Sequence, residues 1–237
     1  MNNPHFLERI SGLREVCKII SQLKSQLIEE LPHYGHDSLF FQNDEITTGL
    51  LNNKTEVKIH LLTGELLYFH NETGHFVDLT SDGFHKKLES IVTKYGLNMP
   101  KVPSFTLHQE NLVGYIPFAK RVNQSLELFR MKLRNNFTQV HLWPDGFDFS
   151  VESFIIKNNG QIGVGVSPGD DRYESPYLYV NPYPFSKNII HQQLPIGKWH
   201  TRGWNGIKVE WNEFDSKTEQ DISSYIHNLY LVAMKNF

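Results

Sequence analysis

Cysteine is almost absent from this chain. One thiol, Cys17, in 237 residues leaves no partner for an internal disulfide. The fold must therefore rest on buried apolar surface, and a chain of this length buries roughly 70% of what its unfolded form exposes. An unpaired thiol fits a reducing compartment, so a cytoplasmic location is expected. Long apolar runs are missing too. No stretch approaches the ~18 residues of a membrane-crossing helix, and the N-terminus lacks the basic-then-apolar pattern of a signal peptide. No membrane partner is expected. Nor is there an excess of positive charge. The 23 Lys and Arg against 26 Asp and Glu give a net charge of -3. Nucleic-acid binding needs a basic footprint, so no nucleic-acid partner is expected.

Aromatic side chains, by contrast, are plentiful: 16 Phe, 10 Tyr and 4 Trp make up 13% of the chain. They fill cores and line pockets equally well.

The apolar spacing predicts an α+β fold of antiparallel sheet with packed helices. Leu7, Ile10, Leu13, Val16, Ile19, Ile20, Leu23, Leu27 and Leu31 recur at helical steps, with Asn3 and Pro4 suited to the start and Pro32 to the end. Short strands are expected at 39–42 and 46–51, around Asn43-Asp44. Val57, Ile59 and Leu61 alternate with polar residues, and Thr63-Gly64 then turns the chain towards Leu67 and Phe69. Residues 76–79 suit another strand. A second helix is expected over 82–95, closed by Gly96. Residues 96–115 show no period and read as a surface linker.

A third helix is expected from Phe118 to Phe137. Its polar face carries Lys120, Arg121, Arg130, Lys132 and Arg134, either a solvated face or an anion-binding patch, with the first favoured. Strands follow at 138–143, 147–156, 161–166, 177–180 and 207–211, with Asn158-Asn159-Gly160 as a turn. The last helix opens on a capping box, Ser216 with Glu219. Ile222, Tyr225, Ile226, Leu229, Val232 and Ala233 form its inward stripe. Each half thus reads helix, strands, helix. A single compact domain over 1–237 is expected, with an internal duplication of 4–95 and 116–235.

Three second-half segments run from strands into Gly- and Pro-rich loops, where sites are commonly built. They are His141 to Phe149, Ser167 to Asp171 with Pro176 to Pro184, and Trp199 to Gly206. They resemble an uncharacterised bacterial family, domain of unknown function 5996. The likeness rests on His141 through Asp148 (His-x-Trp-x-x-x-Phe-Asp), Ser167 through Asp170 (Ser-Pro-Gly-Asp), Tyr177 through Pro184 (Tyr-x-Tyr-x-x-Pro-x-Pro) and Trp199 through Trp204. The hairpin, the helix near 82–95 and the Gly-Leu-Asn-x-Pro exit at 96–100 extend it over most of the chain. The chain departs at the exit of the first helix, where family members often have a Trp pair and this one has Leu31 to His36. The resemblance implies a shared fold and no particular activity or cofactor.

The residues offer their own chemistry. Asp148, Ser150 and Glu152 alternate with Phe147, Phe149 and Val151, giving a strand with one polar and one apolar face. His141, Asp148 and His200 would suit a two-His-one-carboxylate metal site, but their spacing matches no tight metal signature, so no metal is expected. Ser167 and Asp170 would suit a nucleophile or an anion-binding turn, but Ser167 lacks the nucleophile elbow and reads first as a turn. Cys17 reads as inert core. Trp143, Tyr177, Tyr179, Tyr183, Trp199 and Trp204 argue for a pocket, since rings with polar tips orient small ligands.

The candidate ligand-binding set is therefore His141, Trp143, Asp148, Ser167, Asp170, Tyr177, Tyr179, His200 and Trp204. The function expected first is binding of a small molecule or peptide. The alternatives are a hydrolase-like enzyme using His141, Asp148 and His200, and a protein-interaction module.

Overall fold

The computed structural model describes residues 6–133, 137–155 and 159–237. Asn3 and Pro4 of the expected helix start, Arg134 of the cationic face and Asn158 of the turn lie outside the described residues. Among the described residues there are four α-helices and two antiparallel sheets, so the class is α+β. No helix among them is long and apolar enough to cross a membrane.

The chain falls into two compact units. The first comprises Glu8–Lys120 and Leu142–Phe147. The second, within the described residues, comprises Phe6 and Leu7, Arg121–His141 and Asp148–Phe237. This division departs from the expected halves where residues 116–120 and 142–147 fall in the first unit and Phe6 and Leu7 in the second.

Helix α1 (Phe6–Leu27) buries Ile10, Leu13, Val16, Cys17, Ile19, Ile20 and Leu23. Burial of Cys17 raises its thiol pKa, which suits an inert core residue. The helix stops at Leu27, before Pro32, and Leu31 is exposed. Glu29 and Glu30 follow, and acidic residues are unfavourable at the negative end of a helix dipole.

The first sheet is a meander of β1 (Phe40–Gln42), β2 (Glu45–Thr47), β3 (Thr55–His60), β4 (Glu65–His70) and β5 (Thr73–Asp78), paired in chain order. Two of its tight connections, Asn43-Asp44 and Asn71-Glu72, have positive φ at both central residues. That twist matches a two-residue hairpin, and Asn and Asp tolerate it best. Strand β3 alternates as its sequence predicts, with Thr55, Val57 and Ile59 buried. Helix α2 (Phe84–Lys94) buries Phe84, Leu88, Ile91 and Val92, and Gly96 follows at φ +76°.

Helix α3 (Gln109–Lys132) starts well before the expected Phe118 and ends before Phe137. It contains Pro117. Proline removes one N–H and crowds the preceding turn. Here Leu112, Tyr115 and Ile116 before it and Phe118, Ala119 and Val122 after it are all buried, and packing on both sides outweighs that cost. The cationic face of α3 is internally engaged. Lys120 pairs with Asp44 at 2.8 Å, Arg130 with Glu127 at 2.8 Å, and Arg121 donates to the carbonyls of Phe214 and Lys217. Lys132 reaches Ser224 Oγ at 3.1 Å. The patch therefore reads as structural.

The second sheet contains β6 (His141–Trp143), β7 (Asp148–Ile155), β8 (Gly160–Ser167), β9 (Tyr177–Tyr183), β10 (Lys198–His200) and β11 (Gly206–Glu210). Its order is β10-β11-β9-β8-β7-β6. The β10–β11 hairpin folds back so that β11, not β10, lies beside β9. The two halves therefore share the helix–strands–helix succession but not one strand order. Helix α4 (Glu219–Ala233) lies against β8 and β9 and buries Ile222, Ile226, Leu229, Tyr230 and Ala233. Its capping box is Thr218 with Asp221, not Ser216 with Glu219. Both pairs have the required spacing, and the helix begins two residues later than the first would place it.

Candidate functional site

Antiparallel partners point to the same side of a sheet, so the register of the second unit defines its two faces. One face carries Phe149, Val151, Ile162, Val164, Val166, Leu178, Val180, Ile207 and Val209, all buried. On the other, Ser150, Gly165, Tyr179, Lys208 and Lys198 form one row across five strands. Glu152, Gly163 and Asn181 form the next row, and Ser167, Tyr177 and Glu210 the one on the opposite side. This polar and aromatic face holds the site.

Gly163 and Gly165 are needed for room, not for backbone freedom. A Cβ on Gly165 would collide with the Tyr179 ring and with the Phe149 carbonyl, and one on Gly163 would stand 2.8 Å from Glu152 Oε1. The Tyr179 ring therefore lies across bare strand, and its hydroxyl donates to Asp148 Oδ2. Burial, then the nearby Asp148 charge, raises the pKa of Tyr179, so its proton is held. Tyr177 donates to Asp170 Oδ2 at 2.7 Å, and burial followed by that bond also raises its pKa.

Trp204 comes from the β10–β11 turn, which Gly203 enters at φ +91°. Its indole passes close to Gly206, where a Cβ would be 3.0 Å from Cζ3. The ring stacks on Tyr177 at 6.2 Å and on His200 at 4.1 Å, and meets Tyr179 edge-on at 6.3 Å.

Tyr177, Tyr179 and Trp204 line an open cavity of about 380 Å³ with Glu152, Gln161, Gly163, Asn181 and Tyr183. Behind its surface Glu152 Oε2 and Trp204 Nε1 are sealed from solvent and have no hydrogen-bond partner. Burial, then the negative charge of Asp148, pushes the Glu152 carboxyl up to about 7.

The structure brings together Asp148, Tyr177, Tyr179 and Trp204 of the candidate set, with Asp148 behind the Tyr179 wall. Ser167 and Asp170 serve the adjoining turn. Ser167 Oγ accepts from Gly169 N at 3.1 Å, and Asp170 Oδ1 accepts from the amides of Arg172 and Tyr173. Trp143 lines a different cavity, in the first unit, with Lys18, Asp37 and Asp145. His141 is half-buried on β6 and is not among the lining residues.

His200 is buried and has both ring nitrogens engaged. Nδ1 lies 2.9 Å from the Trp204 carbonyl, which can only accept, so Nδ1 carries a proton; Nε2 lies 2.5 Å from the Tyr173 hydroxyl. His200 thus fixes the turn that carries Trp204. Among the described residues no three His, Cys, Asp or Glu side chains are grouped to hold a metal ion, so the His141–Asp148–His200 constellation does not form. Replacing His200 by Ala removes a buried ring with its two hydrogen bonds and its stack on Trp204, and is expected to cost about 1–3 kcal/mol in denaturant unfolding. An unchanged midpoint and slope would show that the ring braces nothing.

Glu152, Gln161, Asn181 and Tyr183 were outside the candidate set. Their signal was the alternation of Asp148, Ser150 and Glu152 on β7, opposite a strand whose Gly163 and Gly165 alternate with Ile162, Val164 and Val166. No family model, curated protein or solved structure matches the chain.

Proposed function

We propose that the protein binds a small molecule on the polar face of its second sheet, in the cavity between Glu152 and Trp204. One observation carries this reading. Four aromatic residues, Tyr177, Tyr179, Tyr183 and Trp204, line one cavity together with the polar side chains of Glu152, Gln161 and Asn181. Aromatic walls with a few convergent polar groups are what orients a small ligand. The hydrolase alternative draws less support, since His200 is held from both sides. A cytoplasmic setting, and a small molecule rather than a nucleic acid as partner, accord with the buried single thiol and the net charge of -3.

The test is a ligand-observed NMR screen of fragments of mixed charge against the intact protein and Tyr183→Ala. Tyr183 is 65% exposed, so its removal spares the core while opening one wall. Fragments that bind the wild type and weaken about tenfold with the variant support the reading. No binding, or binding indifferent to Tyr183, rules it out.

A further inference from the structure

We infer that this pocket recognises a small organic ammonium cation that also carries a hydrogen-bond-accepting oxygen. The inference rests on the small-ligand reading and adds the chemical class.

Four aromatic rings, Tyr177, Tyr179, Tyr183 and Trp204, line the cavity together with one carboxyl, Glu152. Among the described residues, no Lys or Arg lines it. Aromatic faces carry negative charge density and attract cations, most strongly where water is displaced, and rings grouped around a cavity recognise substituted ammonium groups. Tyr177 and Tyr179 are fixed by their hydroxyls, which donate to Asp170 and Asp148, so two walls need no ordering on binding. The nearest cation in the register, Lys208, is already taken up: its Nζ lies 2.8 Å from Glu210 Oε1 and 3.9 Å from the centroid of the Tyr173 ring.

Anions and neutral apolar ligands fit less well. An anion would face Glu152, with Asp148 behind it, while Lys208, 5.2 Å from the centroid of the Tyr177 wall, is already paired with Glu210. A neutral apolar ligand would leave the polar lining of Glu152, Gln161 and Asn181 unanswered. An ammonium group answers the carboxyl and the rings, and an oxygen on the same ligand answers a side-chain amide of Gln161 or Asn181. Burial holds the Glu152 carboxyl at about 7, so a cation beside it would favour the carboxylate at neutral pH.

The experiment titrates the intact protein, by isothermal calorimetry and NMR, with choline, ethanolamine and the uncharged carbon isostere of choline, in which carbon replaces nitrogen. Choline or ethanolamine is expected to bind, and the uncharged isostere about tenfold or more weaker than choline. Glu152→Gln should weaken choline by about tenfold and leave the isostere unchanged. Equal binding of choline and its isostere, or choline binding unaffected by Glu152→Gln, overturns the inference. If neutral or anionic fragments bind in a Tyr183-dependent way while no ammonium compound does, the ammonium class falls and the small-ligand reading stands. If no fragment of any charge binds, both fall.

Discussion

Leu229→Ala is expected to lower the unfolding free energy by about 2–5 kcal/mol. Leu229 is fully buried in the middle of α4, between Ile226 one turn earlier and Ala233 one turn later. That stripe covers the apolar face of β8 and β9, whose Ile162, Val164, Leu178 and Val180 are themselves buried. Truncation removes three carbons and leaves a void that a helix packed on a sheet can close only in part. The range reflects how far the surroundings relax. Urea unfolding of the wild type and variant measures the difference. A loss well under about 1 kcal/mol would mean that α4 is peripheral to the second unit.

The second large effect is on pH dependence, through Glu152. Its carboxyl titrates near 7 in the folded protein, above the ordinary value of 4.5, because burial and Asp148 disfavour its charge. Between these two values the native state holds a proton that the unfolded chain has released. Stability therefore falls as pH rises through that window, and above it the full penalty of a buried, unpaired carboxylate is present. Glu152→Gln removes the titration. The variant should approach wild-type stability near pH 4.5 and exceed it at pH 8 by up to about 3 kcal/mol. Denaturant unfolding of both proteins across that range is the measurement. A difference that does not change with pH would show that the carboxyl ionises freely in the fold.

Both expectations draw on features that the sequence displayed unequally. Helices α1, α2 and α4 were legible because their apolar residues recur at three and four over several turns. The meander was legible from its Asn-Asp and Thr-Gly turns. Helix α3 was misread at both ends, since its first turns fall in a stretch without visible period and only tertiary packing shows that the helix runs through Pro117. The position of β11 beside β9 was not legible at all. Strand β10 spans three residues, too short to show a period, and strand order depends on contacts far apart in sequence. The site was legible in part. Tyr177, Tyr179 and Trp204 stood out as aromatic rings at strand–loop junctions. Glu152 did not, because an alternating carboxylate is the ordinary mark of a solvated strand face. Its different fate follows from Gly163 and Gly165, which bare the neighbouring strand and let larger side chains close over it. His141 and Trp143 had suitable chemistry but do not line the cavity, and His200 stands behind Trp204 and braces its turn.

The lengths of the outermost strands bear on self-association. A free sheet edge is a row of unpaired amides and carbonyls that a second chain can zip onto. In the second sheet both outer strands, β6 and β10, are only three residues long; Leu142 of β6 is already bonded in both directions to the backbone of Leu39, and β10 begins with Lys198, an exposed charge. A strand arriving at β10 would gain a ladder of one or two hydrogen bonds and would have to desolvate an ammonium group. A large sheet with an aromatic face is an aggregation hazard if its borders are long. This one ends in borders too brief to template growth, so a sheet that carries rings on one face offers no long edge to a second copy.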